Sequence, residues 1–292
     1  MIAIDWGTTS LRAALLDAHG HVLDVRASPQ GILNVPPGQF AAVFDSTCAD
    51  WMKAESGVCL ISGMCGSRQG WLEAPYCPCP ANSADLAEAL AWVEPQRIAI
   101  VPGLSFTHDS VPDVMRGEEV QVLGTLDLLG LQDATLVLPG THSKWVSVRA
   151  ARIQGFSTFM TGEVYGLLRQ HSILARMLPA DEPELDTAAF DRGVRHAMSS
   201  SSLLATAFST RTLALFEQLN GPELVSYLSG LVIGEELRAQ PPGTVADGVV
   251  VIGSPALTER YARAFSVCGK RIQTIGPEAT WRGLWRIAQT IH

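Results

Sequence analysis

The first segment whose residue types could do chemistry lies near the N-terminus. It consists of Asp5, Trp6, Gly7, Thr8, Thr9 and Ser10. Apolar runs on both sides predict that it joins two strands, and a turn of small residues exposes the N–H groups and hydroxyls that phosphate oxygens require. Asp5 at the strand end is a candidate Mg²⁺ ligand, because Mg²⁺ keeps several waters and needs few carboxylates. An ordinary hairpin turn with an incidental aspartate is the alternative.

A second segment with similar chemistry occurs in the other half of the chain. It consists of Leu138, Pro139, Gly140, Thr141, His142, Ser143, Lys144 and Trp145. Its glycine, hydroxyls and cation also suit phosphate oxygens. Two such loops facing each other across a cleft could hold a polyphosphate from both sides. The pair therefore predicts nucleotide binding more specifically than either loop alone.

A third segment follows the apolar run at residues 249–252 and consists of Gly253 and Ser254. A glycine between a buried strand and a helix lets a flat base approach the backbone, because it has no side chain there. We therefore count Gly253 and Ser254 with the nucleotide-binding residues. A simple strand-to-helix turn is the alternative.

One cation away from both phosphate loops is a candidate for binding an anionic group of another ligand. Arg68 follows a predicted strand and a turn flanked by glycines, and an arginine there can meet a carboxylate with two parallel hydrogen bonds. Ser67 could join it. The alternative is that Arg68 forms a surface salt bridge.

Three acidic residues lie close together near the end of the first half. Asp113 follows Pro112 at the start of a predicted helix over residues 113–129, where it is either a catalytic base or an ordinary helix cap. Glu118 and Glu119 follow on the same predicted helix. They are either a solvated face or contacts to substrate and metal.

The predicted elements repeat in the two halves of the chain. Each half reads strand, turn, strand, strand, and then alternating helices and strands, which predicts two similar α/β domains. We place the first domain at residues 1–130 and the second at 131–292, with the last helix packing back on the first domain. Helices are also expected over residues 83–92 and 187–219. Because each domain carries one phosphate loop, we expect the two to close over the substrates.

Composition and motifs exclude several classes of protein. The formal net charge of −8, without a cluster of lysine or arginine, argues against nucleic acid. No apolar run is long enough to span a membrane, and no signal peptide is evident, so we expect a cytoplasmic protein without a membrane partner. No GxxxxGK[ST], GxSxG or HExxH motif occurs. Cys77 and Cys79 leave a metal or redox role open beside simple free thiols.

These three nucleotide segments resemble the two phosphate motifs and the adenosine motif of the actin-like ATPase and sugar kinase superfamily, in the same order. Further segments resemble the 2-dehydro-3-deoxygalactonokinase family, and the similarity runs from residue 1 to about 290. These segments are residues 63–71, 113–119, 138–145 and 159–163. Small departures occur at Cys65 and Val120.

The resemblance implies transfer of the ATP γ-phosphate to the 6-hydroxyl of 2-dehydro-3-deoxy-D-galactonate, with Mg²⁺ as cofactor. It implies Asp113 and Glu119 as catalytic candidates, and Ser67, Arg68, Arg116 and Glu118 as candidates for substrate contact. A kinase of another sugar or sugar acid, and an actin-like ATPase or nucleotide sensor without an acceptor, are the alternatives. The sequence also leaves a homodimer open.

Overall fold

The computed structural model describes residues 1–54 and 57–291. Its strands are β1 (Ile2–Trp6), β2 (Leu11–Leu16), β3 (Val22–Ser28), β4 (Cys59–Ser62), β5 (Tyr76–Pro78), β6 (Ala91–Glu94), β7 (Ile98–Ile100), β8 (Gly103–His108), β9 (Val111–Met115), β10 (Ala134–Leu138), β11 (Ser143–Arg149), β12 (Arg152–Phe159), β13 (Val250–Ile252) and β14 (Gln273–Ile275). Its α-helices are α1 (Phe40–Ala54), α2 (Ser83–Glu88), α3 (Glu118–Leu129), α4 (Thr161–His171), α5 (Thr187–Met198), α6 (Leu203–Thr206), α7 (Ser209–Leu215), α8 (Gly221–Arg238), α9 (Pro255–Val267) and α10 (Glu278–Ala288).

The two larger sheets repeat one strand order. The first is ordered β3-β2-β1-β4-β7-β6 and the second β12-β11-β10-β13-β14, so a three-strand meander is followed by three further strands in the first sheet and by two in the second. The central pairs β1–β4 and β10–β13 are both parallel. This repeat confirms the expectation of two similar α/β domains. A separate small sheet is ordered β5-β8-β9.

The chain divides into two compact units. The first unit contains Met1–Ala134, Val146–Ser157 and the chain from Ile275 onward, and the second contains Thr135–Trp145 and Thr158–Thr274. The change at residue 134 lies a few residues after the predicted boundary. Most of the β11–β12 hairpin and helix α10 belong to the first unit. Residue 292, at the end of the predicted second domain, lies outside the described residues.

The core of the first unit forms where β1 packs against helix α1. Apolar residues at helical spacing in α1, among them Phe40, Val43 and Phe44, are buried against Trp6 of β1. The ring centroids of Trp6 and Phe40 lie 5.5 Å apart. Because β1 is buried along its length and continues directly into the first phosphate loop, the core fixes where that loop begins.

Helix α3 is held in place by helix α10 through two glycines. A Cβ added at Gly124 would lie 1.8 Å from the carbonyl oxygen of Ala279, and one added at Gly283 would lie 1.9 Å from that of Val120. No side chain fits at either position, so the two helix backbones approach each other closely. The C-terminal helix therefore sets the position of α3, whose first residues carry two of the acidic candidates.

Three predicted helices differ from the structure. The helix expected over residues 113–129 begins only at Glu118, because residues 111–115 pair with β8 and Gly117 takes a positive φ of 106°. The helix expected over 83–92 ends at Glu88, and Ala91–Glu94 is a strand. The single helix expected over 187–219 is divided into α5, α6 and α7, with a break in the serine-rich residues 199–202.

Among residues 1–54 and 57–291, no helix combines the length and apolar character that crossing a membrane requires.

Candidate active site

The first phosphate loop is the turn between β1 and β2. The N–H of Gly7 donates to the carbonyl of Ser10 at 2.9 Å, while Thr8 and Thr9 are exposed. The short segment Gly31–Leu33 supports the loop from behind, because the N–H groups of Ile32 and Leu33 donate to the carbonyls of Gly7 and Thr8. These carbonyls are therefore occupied, and the hydroxyls of the two threonines lie at the surface.

Asp5 lies at the end of β1, directly before this loop. It pairs across the sheet with Ser62 at the end of the parallel strand β4, and the Arg12 guanidinium lies 3.5 Å from its carboxylate. Burial raises the pKa of Asp5, and Arg12 opposes that shift. A buried carboxylate that one arginine compensates only in part fits a divalent cation, which would favour the ionised form.

Two glycines with positive φ bring helix α3 to the same place. A Cβ built on Gly117 would lie 3.3 Å from the Cα of Gly63, and one built on Gly63 would lie 3.5 Å from the Asp5 carboxylate. Only glycine adopts these angles without strain and leaves room for this approach. The start of α3, with Glu118 and Glu119, therefore lies close to Asp5.

The structure changes the setting of Asp113. It was expected to cap a helix, but it lies in β9 opposite Phe106, and its carboxylate accepts the N–H of Val114 at 2.8 Å. The helix-start position belongs to Gly117 and Glu118. Glu118 is half-buried and accepts the N–H of Arg116 at 3.0 Å. The helix-cap interpretation of Asp113 is therefore wrong.

Glu119 is completely buried. Both of its carboxyl oxygens accept the N–H of Gly117, at 2.9 and 2.8 Å. Burial, with a smaller contribution from Glu118, raises the pKa of Glu119 to about 8. At neutral pH most of this carboxyl group is protonated, so it is poorly suited to accept a proton.

Arg116 and Arg68 have opposite environments. Arg116 is buried: its Nη2 donates to the carbonyl of Ala74 at 2.8 Å and its guanidinium lies 4.3 Å from the Tyr76 ring centroid, while its Nε and Nη1 have no hydrogen-bond partner among the described residues. The side chain of Arg68 is 86% exposed and pairs with Glu73 at 3.0 Å. Within the same described part of the chain, the buried Oγ of Ser67 also lacks a partner. Buried donors without partners mark a place where a polar ligand would be stabilised.

A cavity of about 470 Å³ adjoins Arg68 in the same unit. Trp71 and Phe40 form part of its wall, together with Gln69 and Gly70. The cavity is large enough for several groups of a small polar molecule and has a cation at its rim.

The second phosphate loop packs against the start of helix α4. A Cβ on Gly162 would lie 2.4 Å from the Gly140 carbonyl oxygen, and the N–H of Glu163 donates to the carbonyl of Thr141 at 3.0 Å. Thr141 and His142 are exposed, and the His142 ring lies 2.5 Å from the Glu163 carboxylate. Contacts with the start of α4 therefore fix the loop, while its residues Thr141 and His142 are exposed to solvent.

Ser143 and Lys144 belong to strand β11 and are buried. The Ser143 hydroxyl donates to Glu236 at 2.9 Å, and the Lys144 ammonium donates to Thr158 at 2.7 Å. Of the predicted residues in this segment, Gly140, Thr141 and His142 therefore form the open part of the loop.

Sequence reasoning missed the carboxylate that organises this loop. Glu236 of α8 is buried and accepts hydrogen bonds from four side chains, namely Ser143, Trp145, Thr161 and Tyr261. Burial raises its pKa, and the four donors oppose the shift. A signal existed: Glu236 lies at helical spacing from Val232 and Ile233, on the buried face of an apolar helix.

The third segment lies beside the second. A Cβ on Gly253 would lie 3.9 Å from Pro139, because β10 and β13 are parallel neighbours and end at one edge of the sheet. Ser254 is exposed at the N-terminus of α9. Next to these residues a largely apolar cavity of about 110 Å³ opens. It is lined by Pro139, Gly140, Thr161, Gly162, Tyr165, Ser229, Val232, Ile233, Leu257, Arg260 and Tyr261.

Comparison with known proteins gives one consistent result. Residues 5–287 match the family described as 2-keto-3-deoxy-galactonokinase. The chain is 35% identical to 2-dehydro-3-deoxygalactonokinase of Escherichia coli K12, over 99% of this chain and 98% of that protein. A crystal structure from Sinorhizobium meliloti, provisionally described as a protein of the same activity, is 35% identical and has a TM-score of 0.91, covering 99% of this chain and 98% of the other.

A more distant structure supports the fold alone. The (R)-2-hydroxyglutaryl-CoA dehydratase component A of Acidaminococcus fermentans has a TM-score of 0.52 at 12% identity, covering 99% of this chain and 95% of the other. The fold is thus the actin-like two-domain α/β fold expected from the sequence.

Proposed function

The chain belongs to the 2-keto-3-deoxy-galactonokinase family, and we propose that the residues described above carry out its reaction, the transfer of the ATP γ-phosphate to the 6-hydroxyl of 2-dehydro-3-deoxy-D-galactonate. The protein is an ATP-dependent phosphotransferase of galactonate catabolism, and the products are the 6-phosphate and ADP. The observation that carries this conclusion is the match along nearly the full length of both this chain and its E. coli relative. Because the phosphate donor is ATP, we place the enzyme in the cytoplasm.

The phosphates of ATP are assigned to the two loops. Gly7, Thr8, Thr9 and Ser10 supply hydroxyls and backbone donors in the first unit, and Gly140, Thr141 and His142 supply them in the second. This assignment is supported because neighbouring segments of the chain fix both loops, while the loops expose Thr8, Thr9, Thr141 and His142. Ser143 acts through the Glu236 network, and Lys144 adds a positive charge beside the loop.

The nucleoside is assigned to the neighbourhood of Gly253 and Ser254. Two observations support this assignment. Gly253 lies next to Pro139 of the second phosphate loop, and the apolar cavity of about 110 Å³ begins at that loop. Its volume is well above the roughly 10–15 Å³ that one water requires.

An ATP-using kinase of this family works with a divalent metal, and we assign Mg²⁺ to Asp5. No group of three or more His, Cys, Asp or Glu side chains suited to a metal occurs among the described residues, so a single carboxylate with water and phosphate oxygens is the fitting arrangement. Asp5 would hold Mg²⁺ there, which would neutralise charge on the phosphates during transfer. Asp5 is suited to this role because its carboxylate is largely buried and lies directly before the first loop.

The general base is assigned to Glu118 in preference to Asp113 and Glu119. Glu118 takes the helix-start position near Asp5 that sequence reasoning gave to Asp113. Glu119 is disfavoured because its pKa of about 8 leaves it mostly protonated at neutral pH. A carboxylate at this position accepts the proton of the 6-hydroxyl as that oxygen attacks the γ-phosphorus.

The sugar acid is assigned to the region around Ser67, Arg68 and Arg116. Arg116 supports this assignment through its two unpartnered buried nitrogens, and Ser67 through its unpartnered hydroxyl. Arg68 lies at the rim of the cavity of about 470 Å³ and would exchange its contact with Glu73 for the substrate carboxylate. A bidentate arginine–carboxylate contact fits the planar geometry of both groups.

The test is ADP release from ATP in the presence of a panel of acceptors. The panel contains 2-keto-3-deoxy acids of both epimers, aldonic acids, and neutral 3-deoxy sugars. We expect release that depends on the 2-keto-3-deoxy acid. Equal turnover of the neutral sugars would contradict carboxylate recognition, and release that no acceptor stimulates would contradict the kinase assignment.

A further inference from the structure

The apolar cavity of the second unit has one charged residue in its wall. Arg260 of α9 lines it together with Tyr165, Ser229 and apolar side chains such as Leu257. The Arg260 side chain is only 18% exposed. A guanidinium that is mostly buried in the wall of an apolar cavity needs fixed partners, because leaving it unpaired would cost free energy.

Arg260 is fixed by two partners. Its Nη1 donates to the Ser229 hydroxyl at 3.0 Å, and its Nη2 donates to the Glu182 carboxylate at 2.8 Å. Glu182 also accepts from the Tyr165 hydroxyl at 3.3 Å and from Arg169. The Glu182 carboxylate therefore contacts Arg169, Arg260 and Tyr165, and the last two of these line the cavity.

Glu182 belongs to a segment without regular structure, residues 179–186, which we call the strap. Arg169 anchors its beginning by donating to the carbonyls of Ala180 and Asp181, at 3.1 and 2.6 Å. Its end is anchored where the N–H of Asp186 donates to the Ser226 hydroxyl at 2.9 Å. Because both ends are tied, the position of Glu182 is set by the fold.

The contacts of Arg260 decide which part of a nucleotide it suits. Its charge is already paired with Glu182 and each terminal nitrogen already donates one hydrogen bond, so Arg260 is less suited to a phosphate than an unpaired arginine would be. The flat face of a guanidinium held in this way can still stack on an aromatic ring. The other walls, Val232, Ile233 and Leu257, also suit a flat apolar surface.

We propose that Arg260 contacts the purine base of ATP in this cavity, and that Glu182 of the strap is the positioning residue that orients Arg260. The proposal rests on the proposed kinase function and names the residues that recognise the base. The triphosphate then extends from the cavity toward Gly140, which lines the cavity and belongs to the second phosphate loop.

The test separates base contacts from phosphate contacts. Arg260→Met should raise KM for ATP about tenfold while kcat and KM for the sugar acid change less than about twofold. Inhibition by adenosine should weaken by the same factor, and inhibition by inorganic tripolyphosphate should not change. Weaker tripolyphosphate inhibition, or an unchanged KM for ATP, would overturn the assignment to the base.

Glu182→Gln tests the positioning role without removing the guanidinium. It should reproduce part of the Arg260→Met effect on KM for ATP, and Glu184→Gln, an exposed position in the same strap, is the matched control and should leave KM unchanged. Arg260→Lys should not restore wild-type KM, since an ammonium has no flat face. If Glu182→Gln lowers only the melting temperature, the strap is structural and the positioning role is overturned.

Failure of the kinase assignment is recognised separately. If the wild-type protein releases no ADP with the sugar acid, the proposed function fails. Calorimetric titration of adenosine into wild-type and Arg260→Met protein still decides the present proposal, because equal affinities would overturn it whatever the acceptor.

Discussion

At the scale of single residues, the site depends on carboxylates that the fold has placed in very different surroundings. Asp5, Glu118 and Glu119 lie near one another through the contact between Gly63 and Gly117, yet Glu119 is fully buried and Glu118 is only half-buried. Residue type alone does not distinguish these acids. Their burial does, because it decides which of them is ionised at neutral pH.

Asp5→Asn tests the metal assignment. The amide keeps the shape of the side chain but loses the charge, so we expect kcat to fall by roughly 10²-fold or more, since a misplaced metal-bound phosphate reacts slowly. Steady-state kinetics at saturating ATP and sugar acid measures the effect. Circular dichroism and thermal melting check that the variant folds, and near-wild-type kcat in a folded protein would contradict the assignment.

Glu118→Gln and Asp113→Asn form a matched pair for the general base. We expect Glu118→Gln to lower kcat by roughly 10²–10⁴-fold, the usual contribution of base catalysis. Asp113→Asn should retain most of kcat, because Asp113 lies in β9 and not at the helix start. The opposite ranking of the two variants would return the role to Asp113.

At the scale of elements, helix α3 carries Glu118 and is positioned by its close contact with α10. We expect Gly124→Ala to destabilise the protein by about 1–3 kcal/mol, because the added methyl group would overlap the Ala279 carbonyl. Urea denaturation measures the change in the free energy of unfolding.

Gly166→Ala is the control for this prediction. Gly166 lies in helix α4, and a Cβ there would meet nothing within 4 Å. Alanine has the higher helix propensity, so this variant should be neutral or more stable by up to about 1 kcal/mol. A loss of stability equal to that of Gly124→Ala would show that the α3–α10 contact is not the cause.

The elements also show how far the sequence could predict the structure. Strands β1 and β2 lie on either side of the first phosphate loop as predicted, since their apolar runs end at glycine and polar residues. The helix expected from Asp113 failed because the pairing of β9 with β8 is a long-range contact that local spacing does not reveal. The break in the helix expected over residues 187–219 lies at a local run of serines. Serine also occurs within many helices, so this run did not predict the break.

The same distinction applies to the candidate site. The two phosphate loops were predictable because their residues are adjacent in the chain. The spacing of Glu236 on its helix predicts burial, but its partnership with Ser143 was not predictable, because the two residues lie 93 positions apart. Glu182 and Arg260 are 78 residues apart and their pairing depends on the course of the strap. Such partners become visible only when the fold brings them together.

At the scale of the whole molecule, three carboxyl groups that are largely or completely buried share one electrostatic property. Burial raises the pKa of Asp5 and Glu119 in the first unit and of Glu236 in the second, and for Glu119 the value rises from 4.5 to about 8. In the unfolded chain these groups titrate near their ordinary values. Above about pH 4.5 the Glu119 carboxyl group therefore holds its proton more strongly in the folded protein than in the unfolded chain, and the shifts of Asp5 and Glu236 have the same direction.

The sign of the pH dependence follows from this difference. Where the folded state binds more protons, the free energy of unfolding decreases as the pH rises. The carboxylates with lowered pKa, such as Asp17 at about 2, act in the opposite sense but only at more acidic pH. Between about pH 5 and pH 8 we therefore expect stability to fall with increasing pH, with Glu119 alone contributing a slope of up to about 1.4 kcal/mol per pH unit.

Glu119→Gln tests this expectation, since it replaces the carboxyl group with a neutral amide of the same shape. The variant should show a flatter dependence of the free energy of unfolding on pH between pH 5 and pH 8, measured by urea denaturation in a series of buffers. Glu223→Gln, at the cap of α8, is a control on a partly exposed carboxylate and should leave the slope unchanged. If Glu119→Gln and wild type have the same slope, Glu119 is ionised in the folded protein. It would then return as a candidate base beside Glu118, because a buried carboxylate near Asp5 would be available to accept the proton of the sugar acid.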